Sequence, residues 1–169
     1  MTSPKNSAVT SAGMEEKEPL KIILAEDDKD DQELFMEALD ATNVPSEVTT
    51  VENGQELLNA LKDPDEPNPD IVFIDINMPV KGGKEALAEI KSDNELKDIP
   101  AVMLSTSNHP RDIEETFNKG ANLYVQKPSS FSGFILVLKK VFVLHWTKAL
   151  LDPVKNIFFV SEKNISHKD

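Results

Sequence analysis

The stretch "VFIDINMP", residues 72–79, begins with three apolar residues, reaches an acid at Asp75 and then breaks at Asn77 and Pro79. Continuous hydrophobicity over strand length is typical of a strand in a parallel sheet, because helices cover both faces of such a sheet. A carboxylate at the end of a buried strand must have a partner or a function, since an unpaired charge is costly to bury. The stretch therefore predicts a buried strand that brings Asp75 to the edge of a parallel sheet.

Four more runs of strand length flank this stretch. They are "LKIILA" at 20–25, "SEVTTV" at 46–51, "AVMLS" at 101–105 and "NLYVQ" at 122–126. Helical patterns lie between the runs, so strand and helix alternate five times, which predicts right-handed crossovers and an open sheet between helices. The fold class expected from the sequence is α/β, a doubly wound five-stranded parallel sheet with helices on both faces.

The helical patterns differ in their apolar faces. The first, "DDQELFMEALDA", has one apolar side, and Asp30 followed by Glu33 is typical of a capping box. The last, residues 131–146, is apolar almost all round, yet it is shorter than the roughly 20 residues that a membrane span needs. Two interpretations of this last helix stay open: it packs on the sheet alone, or its second face also meets a partner.

The chain length and the distribution of large apolar residues predict one domain with two extensions. The chain has 169 residues, which fits a single domain. Residues 1–19 hold almost no large apolar side chains and are expected to form a flexible tail. The domain is expected over residues 20–146, with a C-terminal extension over residues 147–169.

Charge and cysteine content exclude several classes of protein. Asp and Glu number 30 against 18 for Lys and Arg, and the net charge of −12 disfavours nucleic acid and anionic membranes as partners. Cysteine is absent, which removes disulfides and thiolate metal sites. The first residues lack the apolar core of a secretory signal. We expect a cytoplasmic protein.

Polar side chains follow the ends of the predicted strands, which lie at one edge of a parallel sheet. They are Glu26, Asp27 and Asp28 after the first strand, Asp75 in the third, Ser105 and Thr106 at the fourth, and Lys127 after the fifth. Crowded carboxylates repel one another unless a cation intervenes, and Mg²⁺ prefers oxygen ligands. A carboxylate can also attack phosphorus. These strand ends predict a magnesium-dependent phosphoryl-accepting site.

Four short motifs in order carry a family resemblance: "LAEDD", "DINMP", "LSTS" and "YVQKP". Over about residues 20–146 the chain resembles the response-regulator receiver domain of two-component signalling. The resemblance implies the flavodoxin-like strand order 2-1-3-4-5. It also implies a signalling protein that catalyses only its own phosphorylation and dephosphorylation, and is not otherwise an enzyme.

The resemblance implies a role for each acid at the strand ends. Asp75 is the implied phosphoacceptor. The implied Mg²⁺ ligands are Asp27, Asp75 and the backbone carbonyl of Asn77, with Glu26 acting through water. The acidic pair can also be aligned on Asp27 and Asp28, but the spacing to "DDQELF" favours the first alignment. For Asp28 and Asp30, a helix cap or a loop position is the favoured role.

Further roles are implied on the fourth and fifth strands. Lys127 is the implied phosphoryl-binding lysine, with a cis bond to the proline that follows. Ser105 is the implied switch hydroxyl and Tyr124 the switch aromatic, expected to swing inward from an exposed rotamer on phosphorylation. Asn77 and Ser107 are expected to border the path of the hydrolytic water.

The resemblance also implies partners. A sensor histidine kinase or a phosphotransfer protein is the expected phosphoryl donor, and a homodimer is expected through the fourth helix, the fifth strand and the last helix. The segment "EDDKDDQELF", with the long last helix and the C-terminal extension, resembles stand-alone regulators that serve phytochrome-like kinases.

Two alternative functions remain at this stage. A haloacid-dehalogenase-type phosphatase also uses an Asp nucleophile at a strand end, but it needs a second Asp where this chain has Asn77. A receiver-like adaptor that never accepts a phosphoryl group would share the fold. The complete set of Asp27, Asp75, Ser105 and Lys127 argues against the adaptor.

Overall fold

The computed structural model describes residues 18–151 and 158–166. The predicted N-terminal tail therefore lies outside the described residues up to position 17, as do residues 152–157 and 167–169 of the C-terminal extension. The elements are β1 (Leu20–Ala25), α1 (Lys29–Ala41), β2 (Ser46–Val51), α2 (Gly54–Leu61), β3 (Ile71–Asp75), α3 (Gly83–Ser92), β4 (Ala101–Ser105), α4 (Pro110–Asn118), β5 (Leu123–Gln126), α5 (Phe131–Trp146), a 3₁₀ turn (Ala149–Leu151), β6 (Phe159–Val160) and α6 (Glu162–Ser166).

The strands form one parallel sheet in the order β2-β1-β3-β4-β5-β6. The α/β class and the order of the first five strands are confirmed. Every residue of β3 and β4 is buried, as their continuous hydrophobicity predicts, whereas β2 forms an edge and is largely exposed.

Helices cover both faces of this sheet and enclose a core on each. On one face the core includes Phe35 of α1, whose ring contacts both Phe73 of β3 and Phe134 of α5. On the other face it includes Leu58 of α2 and Leu87 of α3. The alternation of strand and helix predicted this three-layer arrangement.

The first helix begins two residues earlier than the predicted capping box suggests. Asp28 is its N-cap, and the Asp28 carboxylate accepts a hydrogen bond from the Asp31 N–H at 3.1 Å. The predicted capping box of Asp30 and Glu33 is wrong, because Asp30 already lies inside the first turn. Of Asp28 and Asp30, for which a helix cap or a loop position is favoured, Asp28 is the cap.

The last helix packs on the sheet with one face and exposes apolar side chains on another. Val137, Leu138 and Val141 are buried, while Val143 is 57% exposed and Trp146 is also exposed. The sheet-packing interpretation therefore accounts for only part of the apolar surface of α5. None of the helices in the described part of the chain is long and apolar enough to cross a membrane.

A sixth strand extends the predicted five-stranded sheet. β6 pairs in parallel with β5, with Phe159 opposite Tyr124 and Val160 opposite Val125. The sequence did not predict this strand, because two residues are too short for a recognisable pattern. β6 covers an edge that β5 would otherwise expose, and an exposed strand edge invites pairing with other chains.

Candidate functional site

The candidate site lies at the carboxyl-end edge of the sheet. The register places Ala25 beside Ile74, Asp75 beside Leu104, and Ser105 beside Gln126. The residues that follow these strands are therefore neighbours across the edge, as the parallel topology requires.

The loop after β3 turns back tightly at Asp75. The Gly83 N–H donates to the Ile76 carbonyl at 2.9 Å, and a Cβ at position 83 would overlap the backbone carbonyl of Asp75. Glycine is needed here because α3 starts in contact with the strand backbone. Asn77 lies exposed in this loop, two residues after Asp75.

Three carboxylates meet at this edge. Glu26, Asp27 and Asp75 each offer an oxygen atom, and these atoms lie within 4.8 Å of one another. Glu26 and Asp75 are buried, while Asp27 is exposed. Oxygen ligands that converge from a partly open crevice fit a hard divalent cation such as Mg²⁺, which retains part of its water shell.

The pKa of Glu26 reflects its burial and the proximity of the other carboxylates. Burial, with a further contribution from the charge of Asp75, raises the pKa of Glu26 to about 7, although Lys127 counteracts the rise. Asp28 also donates its N–H to the Glu26 carboxylate at 3.2 Å. A positive charge placed among these carboxylates would favour the ionised form of Glu26.

Lys127 reaches into the same cluster from the end of β5. Its Nζ lies 2.6 Å from Glu26, 3.2 Å from Asp31 and 3.7 Å from Asp75. Burial by itself would lower the Lys127 pKa, but the Glu26 hydrogen bond and the nearby carboxylate charges outweigh it and raise the pKa. The side chain is 11% exposed and stays cationic. No cis peptide bond occurs in residues 18–151 and 158–166. The expected cis bond between Lys127 and the proline that follows is therefore wrong, and this bond is trans.

The hydroxyl residues form a hydrogen-bonded path away from the cluster. The Ser105 carbonyl accepts the Lys127 N–H at 2.7 Å, and the Ser105 Oγ accepts the Ser107 N–H at 3.1 Å. The Tyr124 hydroxyl donates to the Ser107 carbonyl at 2.9 Å. Ser105 is thus buried at the end of β4, in the position expected for it.

Tyr124 departs from the expected orientation. The expectation was an exposed rotamer without a phosphoryl group, yet the side chain is 0% exposed. Phe158 and Phe159 pack against the Tyr124 ring with centroid distances of 6.4 and 5.9 Å. The C-terminal segment supplies this aromatic cover, and the hydrogen bond to Ser107 satisfies the hydroxyl.

Three charged residues near the site were not selected from the sequence. Asp31 contacts Lys127, and Lys84 of α3 bonds Asp112 of α4 at 2.7 Å. Asp112 also accepts the Ser107 hydroxyl, and the hydrogen bonds from Lys84 and Ser107 lower the pKa of Asp112. Asp31 is one of several acids around the start of α1, so sequence spacing did not indicate which of them faces Lys127.

Several known proteins are similar to this chain in fold and in sequence. The chain is 34% identical to the response regulator Rcp1 of Synechocystis sp. over 131 residues, which cover 75% of this chain and 89% of Rcp1. It resembles the crystal structure of the phosphorylated cyanobacterial phytochrome response regulator RcpA, with a TM-score of 0.72, 38% identity and coverage of 80% of this chain and 100% of RcpA.

A crystal structure of Rcp1 with bound Mn²⁺ is also similar, with a TM-score of 0.66, 29% identity and coverage of 80% of this chain and 97% of that one. The model of the response regulator receiver domain matches residues 22–139. The chain therefore belongs to the response regulator receiver domain family of two-component signalling.

Proposed function

We propose that this chain is a response regulator that accepts a phosphoryl group on Asp75. The observation that carries the proposal is the convergence of the Glu26, Asp27 and Asp75 carboxylates within 4.8 Å, with the Lys127 amine beside them. The cluster offers a nucleophile, a cation site and a fixed positive charge, which phosphoryl transfer requires.

The reaction is a displacement at phosphorus. A carboxylate oxygen of Asp75 forms a bond to the phosphorus of a phosphohistidine, and the phosphorus–nitrogen bond breaks. The electron pair of that bond stays on the imidazole nitrogen, which can then take up a proton, and Asp75 becomes an acyl phosphate. We assign Lys127 to bind a phosphoryl oxygen, and the support is the distance of 3.7 Å between its amine and the Asp75 carboxylate.

Magnesium fits the carboxylate cluster. We assign Asp27, Asp75 and the Asn77 backbone carbonyl as its ligands, with Glu26 acting through water. Bound Mg²⁺ supplies positive charge that offsets the negative charge of the carboxylates and of the phosphoryl oxygens. The manganese-bound form of the similar Rcp1 supports a divalent cation in this chain.

Ser105 and Tyr124 form the proposed switch. A phosphoryl group on Asp75 adds acceptor oxygens to which the buried Ser105 hydroxyl can donate. Movement of the Ser105 side chain toward them would disturb the hydrogen bond that its Oγ accepts from the Ser107 N–H. The disturbance reaches Tyr124 through its hydrogen bond to the Ser107 carbonyl. Because the Tyr124 ring is already buried in this chain, its response to phosphorylation would be looser packing and not an inward swing. We assign Asn77 and Ser107 to the path of the hydrolytic water.

The proposed donor is a sensor histidine kinase or a phosphotransfer protein in the cytoplasm. The similar RcpA is described as a phytochrome response regulator, which favours a kinase of the phytochrome type. We further propose that the exposed apolar side chains of α5 support a homodimer. Nucleic acid is not a proposed partner, because the net charge is −12.

Incubation with acetyl phosphate and Mg²⁺ tests the proposal. The phosphorus–oxygen bond to acetate breaks, acetate leaves with the electron pair, and intact mass spectrometry should detect one added phosphoryl group. The adduct should be labile to alkali and should depend on Mg²⁺. If neither acetyl phosphate nor a cognate kinase gives an adduct, the chain is a phosphorylation-independent adaptor.

A further inference from the structure

Lys127 contacts more carboxylates than the proposed transfer requires. Its amine lies 2.6 Å from Glu26 and 3.2 Å from Asp31, whereas the acceptor Asp75 is 3.7 Å away. Of these three carboxylates, the acceptor is the most distant. The two shorter ion pairs hold the ammonium group toward α1 and away from the oxygen that would carry the phosphoryl group.

Asp31 reaches Lys127 because of where α1 begins. With Asp28 as the N-cap, Asp31 falls in the first helical turn, and its backbone N–H is fixed by the Asp28 carboxylate. A small cavity of about 90 Å³ lies between this turn and α5, lined by Asp31, Lys127 and Phe134 among others. The amine therefore has room on the α1 side.

Asp31 differs from Glu26 in one respect that matters for a test. Glu26 belongs to the carboxylate cluster assigned to Mg²⁺, whereas Asp31 is not a member of that cluster. The Asp31 side chain is also 45% exposed, so its replacement leaves no buried group without a partner. A change at Asp31 can alter Lys127 and leave the three cluster carboxylates in place.

We propose that Asp31 is a positioning residue that holds the Lys127 amine away from Asp75 and thereby slows phosphoryl transfer to Asp75. The inference rests on the proposed function. To bind an oxygen of the arriving phosphoryl group, the amine must give up Asp31. The strength typical of a partly exposed ion pair corresponds to a rate effect of about two- to fivefold.

The test compares Asp31→Asn with Asp30→Asn. Both substitutions remove one negative charge from the first turn of α1, but Asp30 is exposed and is not among the described ion partners of Lys127. The rate of adduct formation is measured by intact mass spectrometry with acetyl phosphate at saturating Mg²⁺. We expect Asp31→Asn to react about two- to fivefold faster than wild type, and Asp30→Asn to react at nearly the wild-type rate.

A third variant, Asp31→Glu, keeps a carboxylate within reach of Lys127 and should restore the wild-type rate, which a purely structural role for Asp31 would not explain. An unchanged or slower rate in Asp31→Asn overturns the role of Asp31, as do equal gains in Asp30→Asn or Asp31→Glu. These results differ from failure of the proposed function, in which wild type itself forms no adduct.

Discussion

Val80 adopts a backbone conformation that its side chain disfavours. It lies in the loop after β3 with a φ of 64° and is 84% exposed. The left-handed region places Cβ close to the following carbonyl and costs a non-glycine residue about 1–2 kcal/mol. No packing of the side chain offsets that cost, so Val80 stores strain five residues after Asp75.

Replacement of Val80 by glycine should stabilise the fold. We expect Val80→Gly to raise the free energy of unfolding by about 1 kcal/mol, because glycine adopts this φ without strain. Urea unfolding measures the change. Val80→Ala, which keeps a Cβ, should gain much less. Val143→Gly, in the last turn of α5, should lose up to about 1 kcal/mol, because glycine is a poor helix former. A less stable Val80→Gly would contradict the assigned strain.

Lys127 competes with metal for the carboxylate cluster. We expect Lys127→Met to bind Mg²⁺ about tenfold more tightly, because a positive charge beside Glu26 and Asp75 is removed. The same variant should accept a phosphoryl group more slowly, since the cation that would bind the phosphoryl oxygen is lost. Isothermal titration calorimetry measures the Mg²⁺ affinity. The control is Lys62→Met, which also removes one positive charge. Lys62 is exposed and lies at the C-terminal end of α2. Equal affinities in the two variants would argue against the role of Lys127.

At the scale of elements, the C-terminal segment, described over residues 158–166, covers the α4–β5 side of the sheet. Phe158 is buried, and its ring packs edge-on against Phe117 of α4 at 5.0 Å. Phe158 also contacts Tyr124, so the same segment fixes the inward ring of the proposed switch. The docking of β6 and the position of Tyr124 are therefore linked.

Removal of the Phe158 ring should weaken the docking of β6 and the packing around Tyr124. We expect Phe158→Ala to speed hydrogen exchange in β5 and β6 at least about tenfold, because local opening costs less when a buried aromatic contact is removed. Exchange in β1 and β3 should not change. Phe131→Ala, at an exposed aromatic on α5, serves as the control. Unchanged exchange in β5 would mean that the segment does not hold Tyr124.

Part of this arrangement could be predicted from local sequence and part could not. The runs that became β3 and β4 are continuous and apolar, so burial alone specifies them, and parallel topology then brings Asp75 and Lys127 together. The inward position of Tyr124 depends on Phe158 and Phe159, more than thirty residues away, and no local pattern records that contact. The N-cap Asp28 stands among neighbouring acids, so the sequence favoured a cap or loop position for both Asp28 and Asp30 and did not decide between them.

At the scale of the whole molecule, two surfaces bear on assembly. Phe158 and Phe159 already cover part of the α4–β5 side, whereas Val143 and Trp146 of α5 stay exposed. Exposed apolar patches of this kind mark contact surfaces in many proteins. The proposed homodimer therefore uses α5 most directly.

A single charge should break such a dimer. We expect sedimentation velocity to show association that increases with phosphorylation, and Val143→Asp to return the protein to monomer without slowing its phosphorylation. Met36→Asp, at an exposed apolar position on α1, should remain able to associate. A monomer at all concentrations, with and without acetyl phosphate, would rule out the homodimer.

The central claim concerns one carboxylate, and chemical trapping tests it most directly. Borohydride reduces an aspartyl phosphate to homoserine, and peptide mass spectrometry then locates the modified residue. After incubation with acetyl phosphate and Mg²⁺, we predict homoserine at position 75, no trapping in Asp75→Asn, and none without Mg²⁺. Homoserine at Asp27 or elsewhere, or trapping that persists in Asp75→Asn, would contradict the assignment of Asp75 as the phosphoacceptor.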